Sequence, residues 1–239
     1  MKTIRVLDIG GTFGMDGDRL FRGWERQFGT ALEMVRVHQN SAMADVKVNI
    51  KDVDLVYFGG GADVHPALYG HKNVASMVGH LPSLRDVFER QVFQDAVELN
   101  IPIFGICRGA QLLCALSGGS LIQDVEGHAG GDHMLTVVNA DTGRKEEAFS
   151  IPSTHHQMMN IDNINDADLL AWTAPRSRKY TRDTNKVPHR DGTFDPEIVH
   201  FRNTNALAVQ GHPEYYDTDS DTSMYVRQMI YDFNFQGRY

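Results

Sequence analysis

Three apolar runs of strand length, each delivered into glycine, constrain what this chain can fold into. Residues 4–9 run into Gly10-Gly11, residues 54–58 into Gly59-Gly60-Gly61, and residues 101–106 into Cys107-Arg108-Gly109. Continuous apolar runs of this length read as strands buried on both faces, and glycine supplies the tight turns that end them. Between them lie helical patterns. Leu20, Trp24, Phe28, Leu32 and Val35 recur at threes and fours and predict a helix over 17–35, with 34–37 as a possible strand. Val87, Phe88, Val92, Phe93, Ala96 and Leu99 predict another over 84–99, with Asp86 and Arg90 paired on its polar side. Leu112, Leu113, Ala115 and Leu116 predict a third, opening just after Cys107 and ended by Gly118-Gly119. Strands alternating with helices imply an α/β fold with a mostly parallel sheet covered on both faces. The second half is less regular: strands are expected at 133–139, 169–172, 197–201 and 207–210, and a helix over 219–233. The segment 174–196 is polar and aperiodic, carrying Arg176, Arg178, Lys179, Arg182, Lys186 and Arg190.

At 239 residues the chain can bury a substantial core, and no linker or repeat divides it, so one domain over 1–239 is expected. Its 31 acidic against 23 basic residues give a net charge of −8, which disfavours nucleic acid or an anionic membrane as partner. No run approaches the roughly 18 apolar residues of a membrane helix. The two cysteines, Cys107 and Cys114, stand a helical rise of about 10 Å apart, too far for a disulfide. Free thiols, and an N-terminal apolar run too short for a signal peptide, point to a reducing cytoplasm.

The chemistry concentrates at Cys107. A nucleophile on a sharp strand-to-helix turn projects above the sheet edge, and small neighbours (Gly105, Gly109) permit the turn. The helix that follows offers a positive dipole, which lowers a thiol pKa, and a free N–H that can face an oxyanion. Taken alone, such a cysteine is more often a small buried hydrophobe than a nucleophile. Val209-Gln210-Gly211-His212-Pro213-Glu214 adds a base that leaves a strand and, across a proline, a carboxylate able to orient it. Cys107, His212 and Glu214 form a candidate triad.

Gly105-Ile106-Cys107-Arg108-Gly109-Ala110-Gln111, with Gly211-His212-Pro213-Glu214, resembles the class I glutamine amidotransferase superfamily. Further runs narrow the resemblance to its γ-glutamyl-γ-aminobutyrate hydrolase branch: 58–66 (FGGGADVHP), Arg85-Asp86-Val87-Phe88-Glu89, 117–125 (SGGSLIQDV) and Ser153-Thr154-His155-His156-Gln157. The resemblance implies a flavodoxin-like three-layer α/β sandwich that cleaves a γ-glutamyl amide through a glutamyl thioester, without a cofactor. It implies Cys107 as nucleophile, His212 as base and proton donor, and Glu214 as orienting carboxylate. The backbone N–H groups of Gly60 and Arg108 would form the oxyanion hole. Gly61, Gln111, His155, His156 and Gln157 would hold the glutamyl end of the substrate. Gly211 stands where relatives carry bulkier residues, which suggests a more open wall beside the base.

Other features have plainer readings. Asp124, His128, Asp132 and His133 match no zinc spacing and sit in a glycine-rich turn, so no metal is expected and their side chains are expected in solvent. Arg85 and Glu89 read as substrate contacts or as a solvated helix pair. The basic segment reads as a solvated loop, a lid or a docking surface, and Gly59–Gly61 lacks the Lys-Ser/Thr of a phosphate loop. Three functions stay open: a free-standing hydrolase of glutamine or a γ-glutamyl amine, a glutaminase subunit feeding ammonia to a separate synthetase, or a non-catalytic binding member of the fold. A homo-oligomer is compatible with each.

Overall fold

The computed structural model describes residues 3–9, 18–37, 50–138, 145–162, 164–174, 179–182, 185–188 and 194–235. Strands β1 (Ile4–Ile9), β2 (Leu32–Val37), β3 (Leu55–Phe58) and β4 (Ile103–Ile106) belong to a nine-stranded sheet. A small antiparallel pair, β5 (Ser120–Ile122) and β8 (Met158–Asn160), lies outside it. The large sheet continues through β6 (Ala129–Val138), β7 (Lys145–Thr154), β9 (Ala167–Thr173), β12 (Asp195–Phe201) and β13 (Ala206–Val209), in the order β2-β1-β3-β4-β13-β12-β9-β6-β7. From β2 to β13 all pairings are parallel, and from β13 to β7 all are antiparallel. The parallel half is the alternating pattern of the sequence; the antiparallel extension is built from the irregular second half.

Successive strand residues point to opposite faces, and the core divides accordingly. Leu7, Ile9, Val56 and Phe58 pack on one face with Phe88, Val92, Phe93 and Ala96 of α3 (Leu84–Glu98) and with Ala110, Leu112 and Leu113 of α4 (Arg108–Leu116). Ile4, Val6, Leu55 and Tyr57 pack on the other with the short helices α1 (Asp18–Phe21) and α2 (Trp24–Phe28) and with Val226, Met229 and Ile230 of α5 (Asp221–Asn234). The result is the three-layer sandwich expected from the sequence.

Several expectations are corrected. The helix over 17–35 is broken: Gly29 takes a left-handed φ of 67° that ends α2, and Leu32 and Val35 lie in strand β2. Val87 and Leu99 are exposed, so the buried stripe of α3 is narrower than its periodicity implies. The polar segment holds an antiparallel ribbon, β10 (Lys179–Arg182) with β11 (Asn185–Pro188), and Asp195 and Pro196 already belong to β12. Gly10-Gly11, Arg176, Arg178 and Arg190 lie outside the described residues. Among those residues no helix is long and apolar enough to cross a membrane.

Candidate active site

Three adjacent parallel strands, β3, β4 and β13, deliver their C-terminal ends to one edge of the sheet, where open α/β sheets bind ligands. β3 ends in Gly59-Gly60-Gly61, β4 in Cys107, and β13 in Gln210-Gly211-His212. Cys107 sits at φ 52°, ψ −107°, the residue before α4. Such a conformation is costly for a residue with a side chain and persists only where its surroundings enforce it. They do so by close packing: a Cβ on Gly105 would lie 2.6 Å from the carbonyl carbon of Gly109.

Cys107 hydrogen-bonds the His212 ring, whose Nδ1 lies 2.7 Å from Glu214 Oε1. Pro213 opens a short turn (Pro213–Tyr215) that folds Glu214 back under the imidazole, and Tyr215 stacks on the ring at 4.3 Å. Burial disfavours a charged His212, but the hydrogen bonds to Cys107 and Glu214 and the negative charge of both outweigh it, raising the imidazole to about 10. An imidazolium formed in the fold therefore stabilises it fully below pH ~6.5, its unfolded value, and that contribution is lost as pH rises through about 10. The stability margin of the native chain over His212→Gln should narrow across this window in denaturant midpoints. A margin that stays constant would overturn the pairing.

Gly60 faces this pair, and a Cβ on it would meet His212 Cε1 at 3.3 Å and Cys107 Cβ at 3.8 Å. Only a bare backbone comes this near. Arg108 opens α4, so its N–H has no acceptor within the helix. The Arg108 guanidinium, almost wholly buried, pairs with Asp86 Oδ1 at 2.6 Å and with Glu89 Oε2. Glu89 Oε1 accepts from Arg85 Nε at 2.6 Å, and Arg85 Nη2 donates to the carbonyls of Gly59 and Gly60, at 3.1 Å each. Neither reading of Arg85 and Glu89, substrate contact or solvated pair, holds. They are buried links that tie the glycine loop to the first turn of α4, and Asp86 faces Arg108 and the Ser83 cap rather than Arg90.

A cavity of about 400 Å³ opens over the pair, lined by Cys107, His212 and Glu214 and by Gly60, Gly61, Gln111, His155, His156 and Gln157. These expected residues are thus brought together; Arg108 lies beneath the wall. Gln111 Nε2 donates to Gln157 O at 2.9 Å, and Gln157 Nε2 to Ser76 Oγ at 2.7 Å. His156 Nε2 lies 2.8 Å from Asp63 Oδ1, whose hydrogen bond raises the imidazole pKa. Tyr57, Asp63, Met77, Thr154 and Tyr215 also line the cavity outside the expected site residues; Asp63 and Thr154 lie within the runs 58–66 and 153–157, whereas Tyr57, Met77 and Tyr215 fall in no motif. Tyr57 and Tyr215 adjoin the glycine loop and Glu214, and adjacency is their available signal. Gly211 does not open the wall: a Cβ there would meet Ile151 at 2.6 Å, so the space is already filled. Cys114 is wholly buried in the core, with its thiol pKa pushed up to about 12 by burial.

The arrangement supplies a thiol, a base in contact with it, a carboxylate orienting that base, and backbone N–H groups beside a cavity sized for a small molecule. The peptidase C26 family model matches residues 26–214. The glutamine amidotransferase-like protein YvdE of Lactococcus lactis subsp. lactis (strain IL1403) is 32% identical over 71% of this chain and 71% of its own length. In structure, a protein from Thermoplasma acidophilum described as a GMP synthase subunit aligns over 100% of this chain and 97% of its own, at TM-score 0.59 and 15% identity. The glutaminase domain of Trypanosoma brucei CTPS with bound acivicin aligns over 95% and 92%, at TM-score 0.59 and 16% identity. The chain belongs to the peptidase C26 family, with the flavodoxin-like fold of class I glutamine amidotransferases.

Proposed function

We propose that the chain hydrolyses a γ-glutamyl amide, glutamine or a γ-glutamyl amine, through a glutamyl thioester on Cys107. The observation that carries this reading is Cys107 on its strained turn, hydrogen-bonded to a His212 that Glu214 holds from the other side, facing the cavity. Family membership supports chemistry of the glutamine amidotransferase or glutaminase class.

In this reading the Cys107 thiolate attacks the γ-carbonyl, and the N–H groups of Gly60 and Arg108 receive the oxyanion. The His212 imidazolium gives its proton to the departing amine as the tetrahedral centre collapses to the thioester. A water then gives its proton to His212 and attacks the thioester; glutamate leaves and Cys107 is restored. Glu214 keeps the tautomer and offsets the imidazolium charge. Gly61, Gln111 and the His155–Gln157 segment hold the glutamyl end, with Gln111 fixing the Gln157 carbonyl. None of these steps calls for a cofactor.

The full-chain likeness to a protein described as a GMP synthase subunit favours a second reading, a glutaminase that delivers ammonia to a separate synthetase. Glutamate release from L-glutamine and from γ-glutamyl-γ-aminobutyrate, measured side by side with Cys107→Ala as the blank, separates the two. Turnover of the γ-glutamyl amine is expected of a self-sufficient hydrolase. Turnover of glutamine only on adding a co-purified synthetase would give the subunit reading, and turnover that survives Cys107→Ala would overturn both.

A further inference from the structure

The sequence places His128 and His133 in a glycine-rich turn, where solvent would satisfy them; the fold buries both. His128 immediately precedes β6 and His133 lies within it, facing Asp195 and Glu197 of β12, more than sixty residues away in the chain. All four side chains are at most 2% exposed. At Glu197 the pairing of β12 with β9 slips by one residue, a bulge of the kind that re-aims a side chain.

Two carboxylates and two imidazoles in so dry a place need compensating partners. One contact is well made: His128 Nε2 lies 2.8 Å from Asp195 Oδ2. That bond gives Nε2 the proton and leaves Nδ1 with a free lone pair. Nδ1 makes no hydrogen bond among the described residues, nor does either oxygen of Glu197 or either ring nitrogen of His133. His133 Nε2 stands 2.8 Å from Glu197 Oε1 but off the line of a hydrogen bond, and His128 Nδ1 stands 3.8 Å from the same oxygen. Ion pairs between protonated imidazoles and the carboxylates would leave these ring N–H groups unused. A single cation satisfies one atom from each of the three side chains at once.

We propose that His128 Nδ1, His133 Nε2 and Glu197 bind a zinc-type divalent cation, with Asp195 orienting His128 from behind. The three ligand atoms lie within 4.8 Å of one another. Their separations bracket the ~3.3 Å that zinc bonds of about 2.0–2.1 Å impose at tetrahedral angles. A carboxylate on the far nitrogen of a ligating histidine is the usual second partner of such a site. Two positive charges also balance the two carboxylates. The cation would join β6 to β12 across the end of β9, behind the cavity wall, where His155 stacks on His128 at 4.7 Å.

The test uses the full chain carrying Cys107→Ser, because a thiol beside His212 can itself take up metal. After chelator treatment, zinc titrated against a chromophoric chelator is expected to bind at one equivalent and to raise the melting temperature. Glu197→Gln should lower the affinity at least tenfold, and Asp195→Asn about tenfold. Should Glu197→Gln fail to fold, Co²⁺ added to the otherwise native site should give the intense d–d absorption of a tetrahedral N/O centre without thiolate charge transfer. Absence of uptake, or uptake unchanged in folded Glu197→Gln and Asp195→Asn, would overturn the site.

Discussion

Replacing His212 by alanine is expected to slow γ-glutamyl amide turnover by about 10³–10⁴-fold and to erase the preference of iodoacetamide for Cys107 over Cys114. The alkylation contrast follows from environment. Cys114 is wholly buried, its thiol pushed up to about 12, with Sγ against the carbonyls of Ser120 and Asn160. Cys107 opens on the cavity beside an imidazole raised to about 10, a base placed to take the proton of the thiol. Removing the imidazole removes that partner while α4 and β4 still hold the cysteine in place. Rates of both reactions should therefore fall while the circular dichroism spectrum stays unchanged. Labelling of Cys107 that remains faster than Cys114 by its original factor would show that His212 does not activate the thiol, and the proposed mechanism would fail with it.

How far this site is legible in the sequence depends on how local each part is. The elbow is local: strand, Gly105, Cys107, Gly109 and helix all lie within residues 103–116. His212 and Glu214 are legible because proline between them leaves few ways to place the two side chains. The ion network beneath is not. Arg85, Asp86 and Glu89 look like the polar face of an ordinary helix, and only the docking of α3 against α4 shows that their partners are Arg108 and two glycine carbonyls. The histidine cluster fails for the same reason, since β6 meets β12 only across β9. The broken helix over 17–35 is a different case. Leu32 and Val35 fit a helical stripe, yet the edge of the sheet offers hydrogen bonds along β1 that the helix cannot match once Gly29 has turned the chain.

The glycine that most tightly couples fold to site is Gly109, and Gly109→Ala should destabilise the protein by more than about 4 kcal/mol, far outside the range of ordinary substitutions. A Cβ there would stand 2.1 Å from the carbonyl oxygen of Phe58 and 2.8 Å from its carbonyl carbon. These are backbone atoms at the end of β3, so no side chain can swing aside. Relief requires α4 to lift from the sheet or the end of β3 to retreat. Either motion separates the Arg108 N–H from Gly60, because Phe58 leads directly into the glycine loop. Any folded Gly109→Ala should therefore also lose kcat by more than its KM changes, as expected when transition-state contacts are displaced. Gly79→Ala is the control: open space surrounds a Cβ at Gly79 and its φ is not positive, so its denaturation midpoint should stay within about 0.5 kcal/mol of the native protein. A Gly109→Ala protein as stable as this control would mean that α4 and β3 do not meet as closely as described. The proposed oxyanion site between them would then lose its structural basis.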